Sequence, residues 1–243
     1  MKVSGDKGQK VRQYIARSIN CRIFVRWTQL KSRRRFVAWF SFALPLSVVL
    51  IGATPSPAVI LFLGDSITAG YGLEISQAYP ALIQQRIEAK KWPFKVVNAG
   101  QSGDTTAGGL NRIDWLLRSR IDVLVLELGG NDGLRGVPAE TIRKNLQAII
   151  DRVKTKYPKA KIIVAGMKLP PNMGRSYTQQ FESVFASIAK KNDAPLIPFI
   201  LEGVGGISEL NQPDGIHPTV RGQQMVAANV WKVLEPVLRS LLE

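Results

Sequence analysis

The chain has 243 residues, a length that buries a core without staples, and it carries a formal net charge of +15. The excess is terminal: residues 1–35 hold 11 Lys/Arg against Asp6 alone, which leaves 22 Lys/Arg against 17 Asp/Glu beyond residue 35. A basic groove for nucleic acid is therefore excluded as the source of the charge, and the single cysteine, Cys21, excludes a disulfide framework.

The N-terminal elements come first. KSRRR (31–35) is followed by FVAWFSFALPLSVVLIGA (36–53), 18 residues without a charge, and then by TPSPA (54–58). A basic stretch, an apolar stretch and small residues in that order read as a secretory signal peptide cleaved near residues 53–58. The apolar run also reaches the lower length limit of a membrane-spanning helix, although Pro45 interrupts it, so an uncleaved anchor is the alternative. The basic leader is longer than a usual n-region, which points to a translation start further in, near Leu30. The expected organisation is a leader with signal peptide or anchor over 1–58 and one domain over 59–243. That domain is expected to be exported, periplasmic or held on the inner membrane facing the periplasm, and monomeric. Any membrane contact is then made through the N-terminal segment if it stays uncleaved. Cys21 falls in the leader, so the domain itself has no thiol.

From Val59 onward, near-continuous apolar runs alternate with longer segments of helical spacing. The runs are VILFLG (59–64), KVVNAG (95–100), DVLVLELG (122–129), KIIVAG (161–166) and PLIPFI (195–200). Strands of this kind are buried on both faces, as in a parallel sheet. The intervening segments, about 76–90, 105–119, 138–156, 177–191 and 219–241, predict helices. In the fourth, Phe181, Val184, Phe185 and Ile188 share one face. The alternation predicts an α/β fold, a three-layer α/β/α sandwich around a five-stranded parallel sheet with right-handed crossovers. Its active site is expected at the carboxyl ends of the strands.

Four polar blocks stand at those places. GDS (64–66) ends the first strand and puts a hydroxyl, Ser66, at the sheet edge, where it becomes nucleophilic only with a base in reach. NAGQSGDTTAGGL (98–110) follows the second, with the Gly103 N–H as a candidate oxyanion donor and Asp104, Thr105 or Thr106 as candidate helix caps. GGND (129–132) follows the third, and the neutral amide of Asn131 suits a developing negative charge as an acid would not. DGIHP (214–218) precedes the last helix; Asp214 lies three residues before His217, the chain's single histidine, and one turn brings the carboxylate onto its Nδ1–H. Each block alone also fits a turn or a cap. Together they supply nucleophile, backbone donor, side-chain donor, base and orienting acid, the full set for acyl transfer.

In this combination the chain resembles the SGNH, or GDSL, hydrolases over about residues 59–240. The family's Ser falls on Ser66, its Gly on Gly103, its Asn on Asn131, and its Asp and His on Asp214 and His217. FLGDSITAGYGL, SGDTT, ELGGNDGLRG and PDGIHPT look like the exported bacterial subgroup of acyl-CoA thioesterases, lysophospholipases and arylesterases. The resemblance implies a flavodoxin-like SGNH hydrolase fold and a serine hydrolase that cleaves esters and thioesters through an acyl-enzyme. It implies a Ser66, His217, Asp214 triad, an oxyanion hole of Ser66, Gly103 and Asn131, and no metal or organic cofactor. Acyl-chain contacts are expected from Leu134, Leu169, Pro170, Pro171 and Tyr177, which follow strand ends; ordinary loop packing is the alternative for each. The same fold also carries carbohydrate O-deacetylases, and a membrane-anchored binding module without catalysis is a third reading.

Overall fold

The computed structural model describes residues 56–243. The leader, the signal peptide or anchor, the start near Leu30 and Cys21 lie outside the described residues.

Five strands form one parallel sheet: β1 (Ala58–Gly64), β2 (Phe94–Gly100), β3 (Val123–Glu127), β4 (Lys161–Ala165) and β5 (Leu196–Ile197). Their spatial order is β2-β1-β3-β4-β5, with Leu61 aligned to Val97 on one side and to Leu124 on the other. Seven helices are described: α1 (Ser66–Ala69), α2 (Tyr79–Ala89), α3 (Thr106–Leu116), α4 (Gly130–Leu134), α5 (Ala139–Lys156), α6 (Arg175–Lys191) and α7 (Val220–Arg239). On one face of the sheet α3, α5 and α6 pack in a row; α2 and α7 pack together on the other. This is the placement that right-handed crossovers require for this strand order. The three-layer sandwich expected from the sequence is the observed one.

Burial explains why these segments take these forms. Ile60, Leu61, Phe62 and Leu63 are all buried, as is every residue of β3, so both faces of the central strands are covered. In α6 the face made by Phe181, Val184, Phe185 and Ile188 is the buried one, and in α5 it is Ile142, Leu146, Ile149, Ile150 and Val153. Thr105 caps α3, its hydroxyl accepting the Gly108 N–H at 3.1 Å, and Thr219 caps α7 through the Gly222 N–H at 3.3 Å.

Three boundaries differ from the sequence reading. The fifth strand shrinks from the expected 195–200 to Leu196–Ile197, because Pro198 has no N–H to donate to a ladder. Residues 76 and 77, expected as the start of a helix, belong to a separate 3-10 turn (Ile75–Gln77) ahead of α2, which opens with Pro80 in its first turn. The short helices α1 and α4 occupy stretches read as strand-end turns.

On the outer strand β2 two N–H groups are taken by side chains: Val96 N donates to Gln84 Oε1 at 2.7 Å and Gly100 N to Asn98 Oδ1 at 2.9 Å. At Gly100 the end of α1 comes so close that a Cβ would collide with the Ala69 backbone nitrogen. Gly100→Ala is accordingly expected to cost about 1–3 kcal/mol or more through overpacking. A clear fall in the urea midpoint checks this; an unchanged midpoint would show that the contact relaxes freely.

Candidate active site

In a sheet of order 2-1-3-4-5 the chain leaves β1 toward one edge and later returns to build toward the other. The loops after β1 and β3 diverge there and leave a crevice. Ser66 follows β1 and Asn131 follows β3, so both open onto that crevice. Ser66 is the first residue of α1, 9% exposed, and its backbone N–H belongs to the first helical turn, which has no intrahelical acceptor.

The loop before α7 carries the base across the gap. An antiparallel bridge between Asn211 and Pro218 closes this loop, and Gln212 N donates to the His217 carbonyl at 2.7 Å. The Gln212 Nε2 amide donates to the Tyr71 carbonyl at 2.7 Å, tying the loop to the turn that follows α1. Within it, Asp214 Oδ1 accepts the backbone N–H groups of Ile216 and His217, each at 2.9 Å, while Oδ2 faces His217 Nδ1 at 2.6 Å. These bonds, the His217 N–H foremost, hold the Asp214 carboxyl down at about 2. With Nδ1–H committed to Asp214, Nε2 is the acceptor, and it lies 2.9 Å from Ser66 Oγ. The structure thus brings Ser66, His217 and Asp214 into one hydrogen-bonded line. The ring of Tyr71, 51% exposed, leans over the imidazole with centroids 4.5 Å apart. Sequence reasoning missed this residue; the G-Y-G step after α1 was its signal.

The oxyanion-donor candidates stand on loops that are tied to each other and to β1. Gln101 N donates to the Gly64 carbonyl at 3.0 Å, and Arg112 pairs with Asp104 at 2.7 Å while also donating to the Gly64 carbonyl at 3.0 Å. The Gly103 loop is therefore fastened beside the end of β1, and Gly103 itself takes φ 77°, where glycine is favoured. Asp132 spans the two loops, accepting from Thr106 N at 2.8 Å and Thr106 Oγ1 at 2.6 Å. Arg135 donates to the Gly103 carbonyl at 3.3 Å, and the Asn131 Nδ2 group donates to Asp65 Oδ2 at 3.2 Å.

Beneath the nucleophile lies a polar network absent from the sequence reading. Asp65, 2% exposed, accepts the Ile67 N–H at 3.0 Å and caps α1. Glu127, 1% exposed at the end of β3, accepts from Asp65 N at 3.2 Å and from the Thr68 hydroxyl at 2.6 Å; Thr68 in turn lies 2.7 Å from the Tyr79 hydroxyl. Burial, with the Asp65 charge adding to it, drives the Glu127 carboxyl well above the ordinary range, and burial pushes Asp65 up to about 6. Gly64 leaves room for the network, since a Cβ there would collide with Thr68 Oγ1. The visible signal was a single acid inside the apolar run LVLELG.

The expected acyl-chain residues divide. Leu134 is 45% exposed at the end of α4, and Pro170 and Pro171 are exposed on the loop after β4. Leu169 turns inward against Gly133 at 9% exposure, and the Tyr177 hydroxyl is spent on the Val137 carbonyl at 2.7 Å.

A serine, an imidazole and a carboxylate in line at the switch point of a parallel sheet, with amide donors on the flanking loops, define a serine hydrolase of the acyl-transfer class. The comparisons with known proteins agree. A model of the GDSL-like lipase/acylhydrolase family matches residues 62–225. The chain is 41% identical over 194 residues to the esterase TesA of Pseudomonas aeruginosa, covering 79% of this chain and 96% of that protein. It is 39% identical over 192 residues to the thioesterase 1/protease 1/lysophospholipase L1 of Escherichia coli K12, covering 79% and 90%. The crystal structure of a TesA superposes with a TM-score of 0.70 at 42% identity, over 73% of this chain and 98% of that one. The chain belongs to the GDSL-like lipase/acylhydrolase family, the SGNH hydrolases, and is a serine esterase/thioesterase.

Proposed function

We propose that the enzyme cleaves aryl esters, fatty acyl thioesters and lysophospholipids by a two-step acyl transfer through Ser66. The carrying observation is the relay from Asp214 Oδ2 through His217 to Ser66 Oγ, with steps of 2.6 and 2.9 Å. Ser66 Oγ attacks the substrate carbonyl as its proton passes to His217 Nε2, and Asp214 holds the resulting imidazolium. The oxyanion is stabilised by the backbone N–H groups of Ser66 and Gly103 and by the Asn131 amide. His217 then protonates the leaving alcohol or thiol, the acyl group stays on Ser66, and a water activated by the same imidazole releases the acid. The relatives named as esterase, thioesterase and lysophospholipase support the substrate classes. Leu134 and Pro170, both turned outward beside the Asn131 loop, are the residues we assign to the acyl chain.

The test is a p-nitrophenyl ester series from C2 to C16 beside acyl-CoA and lysophospholipid hydrolysis, with fluorophosphonate labelling of Ser66. Labelled enzyme with turnover rising beyond C2 on both ester and thioester is the expected result. Labelling with activity confined to acetylated sugars would make the enzyme a carbohydrate deacetylase, and no labelling at Ser66 would remove the mechanism.

We also infer that residues 1–58 are an export leader and that the enzyme works in the periplasm; the charge-free run 36–53 behind KSRRR supports this. N-terminal sequencing of the periplasmic protein should begin near residues 53–58, and a product retaining the apolar run would instead make it an anchor.

A further inference from the structure

We propose that Asp65 is a positioning residue for the oxyanion site, holding the Asn131 amide so that one N–H of Nδ2 is anchored and the other is left for the substrate oxygen. The inference rests on the acyl-transfer reading above. An asparagine amide can turn over and present its oxygen where its nitrogen was, and an oxygen aimed at an oxyanion repels it. Something must fix the rotamer, and among the described residues the hydrogen-bond partner of Asn131 Nδ2 is Asp65 Oδ2, at 3.2 Å.

Asp65 is built as a fixed acceptor. Its Oδ1 takes the Ile67 N–H at 3.0 Å, its own N–H is held by Glu127 Oε2 at 3.2 Å, and the side chain is almost fully buried. Glu127 is anchored in turn by Thr68 at 2.6 Å. A carboxylate has no donor to offer, so only the amide nitrogen can face it. Asp65 also precedes the nucleophile and caps the helix that Ser66 starts, so one carboxylate sets both the serine turn and the amide that serves the same substrate atom.

The charged and titratable groups facing Asp65 are His217 on the α7 loop, Asp104 on the Gly103 loop and Glu127 at the end of β3. Burial holds Asp65 at about 6, so its charge, and with it the acceptor that anchors the Asn131 amide, is lost as pH falls through that value. The acid limb of kcat should therefore carry the ionisation of Asp65.

The experiment is a double-mutant cycle between Asp65→Asn and Asn131→Ala on the full chain, read as kcat and KM on a p-nitrophenyl ester. Asp65→Asn keeps an oxygen for the Ile67 cap but turns an NH2 toward the Asn131 amide, which forces that amide over. We expect kcat to fall about 10²–10³-fold in each single variant, as for loss of one oxyanion donor. KM should hold within about threefold, as for an interaction made only in the transition state. In the Asn131→Ala background, Asp65→Asn should change kcat by less than about threefold, and its acid limb should lose one ionisation. Losses that multiply would overturn the proposal, since Asp65 would then act without Asn131. An active Asn131→Ala would instead strike the oxyanion role of Asn131, a separate failure. Should Asp65→Asn not fold, Asp65→Ser retains a capping oxygen and withdraws the acceptor from Asn131, and the same non-additive pattern is required of it.

Discussion

His217→Ala is expected to remove ester hydrolysis, lowering kcat by about 10⁴–10⁶-fold, because loss of the base in a serine triad costs about as much as loss of the nucleophile. The chain has one histidine, so no second imidazole can substitute. The fold should be little affected: the side chain sits on an exposed loop and bonds only to Asp214 and Ser66. The check is turnover of a p-nitrophenyl ester by a variant whose urea midpoint matches the parent. Added imidazole recovering part of the rate would strengthen the assignment, and near-normal hydrolysis would end it. The same solitude makes any imidazole proton resonance a reporter on this one residue.

Asp214→Asn is expected to lower kcat by about 10⁴-fold while leaving the loop in place, because an amide offers a donor where the imidazole needs an acceptor, and the wrong tautomer results. Two backbone N–H groups and the imidazole hold the Asp214 carboxyl at about 2, so it stays charged throughout the range in which a histidine base works. The sign for stability follows. A depressed carboxyl stabilises the fold above its unfolded value, about 3.9, and that contribution is lost as pH falls from about 4 to about 2. With the side chain 37% exposed the contribution is small, so the variant's acid unfolding should track the parent's closely. A variant that keeps most of its activity would show that the short Nδ1 contact does no orienting.

Much of this molecule could be read from its residues, and the parts that could not share a physical cause. The central strands announced themselves because a strand covered on both faces must be apolar throughout, as Ile60–Leu63 and Val123–Leu126 are. Helices α5 and α6 are long enough for their buried stripes to repeat. The four-residue α1 and five-residue α4 are too short to show any period, so the stretches that present Ser66 and Asn131 read as turns, with a cap at Asp65 or Ser66 as the one hint of a helix. The triad was legible because its chemistry needs particular side chains at strand ends. The layer beneath it was not: Glu127 and Asp65 are carboxyls whose roles depend on burial and on partners about 60 positions away, such as Thr68 and Asn131. The same holds for Tyr71, whose ring meets His217 only because Gln212 draws the two loops together.

The two margins of the sheet have a consequence for the protein in a crowded compartment. A strand with unspent amides is a template on which another chain can grow. Here the β2 margin has given the Val96 and Gly100 amides to Gln84 and Asn98, and the β5 margin is two residues long with Pro198 directly after it. Each margin therefore offers a second copy only a short or interrupted ladder. With its edges blunted in this way, the hydrolase can carry its reactive loops on the crest of the sheet while giving another chain little backbone on which to grow.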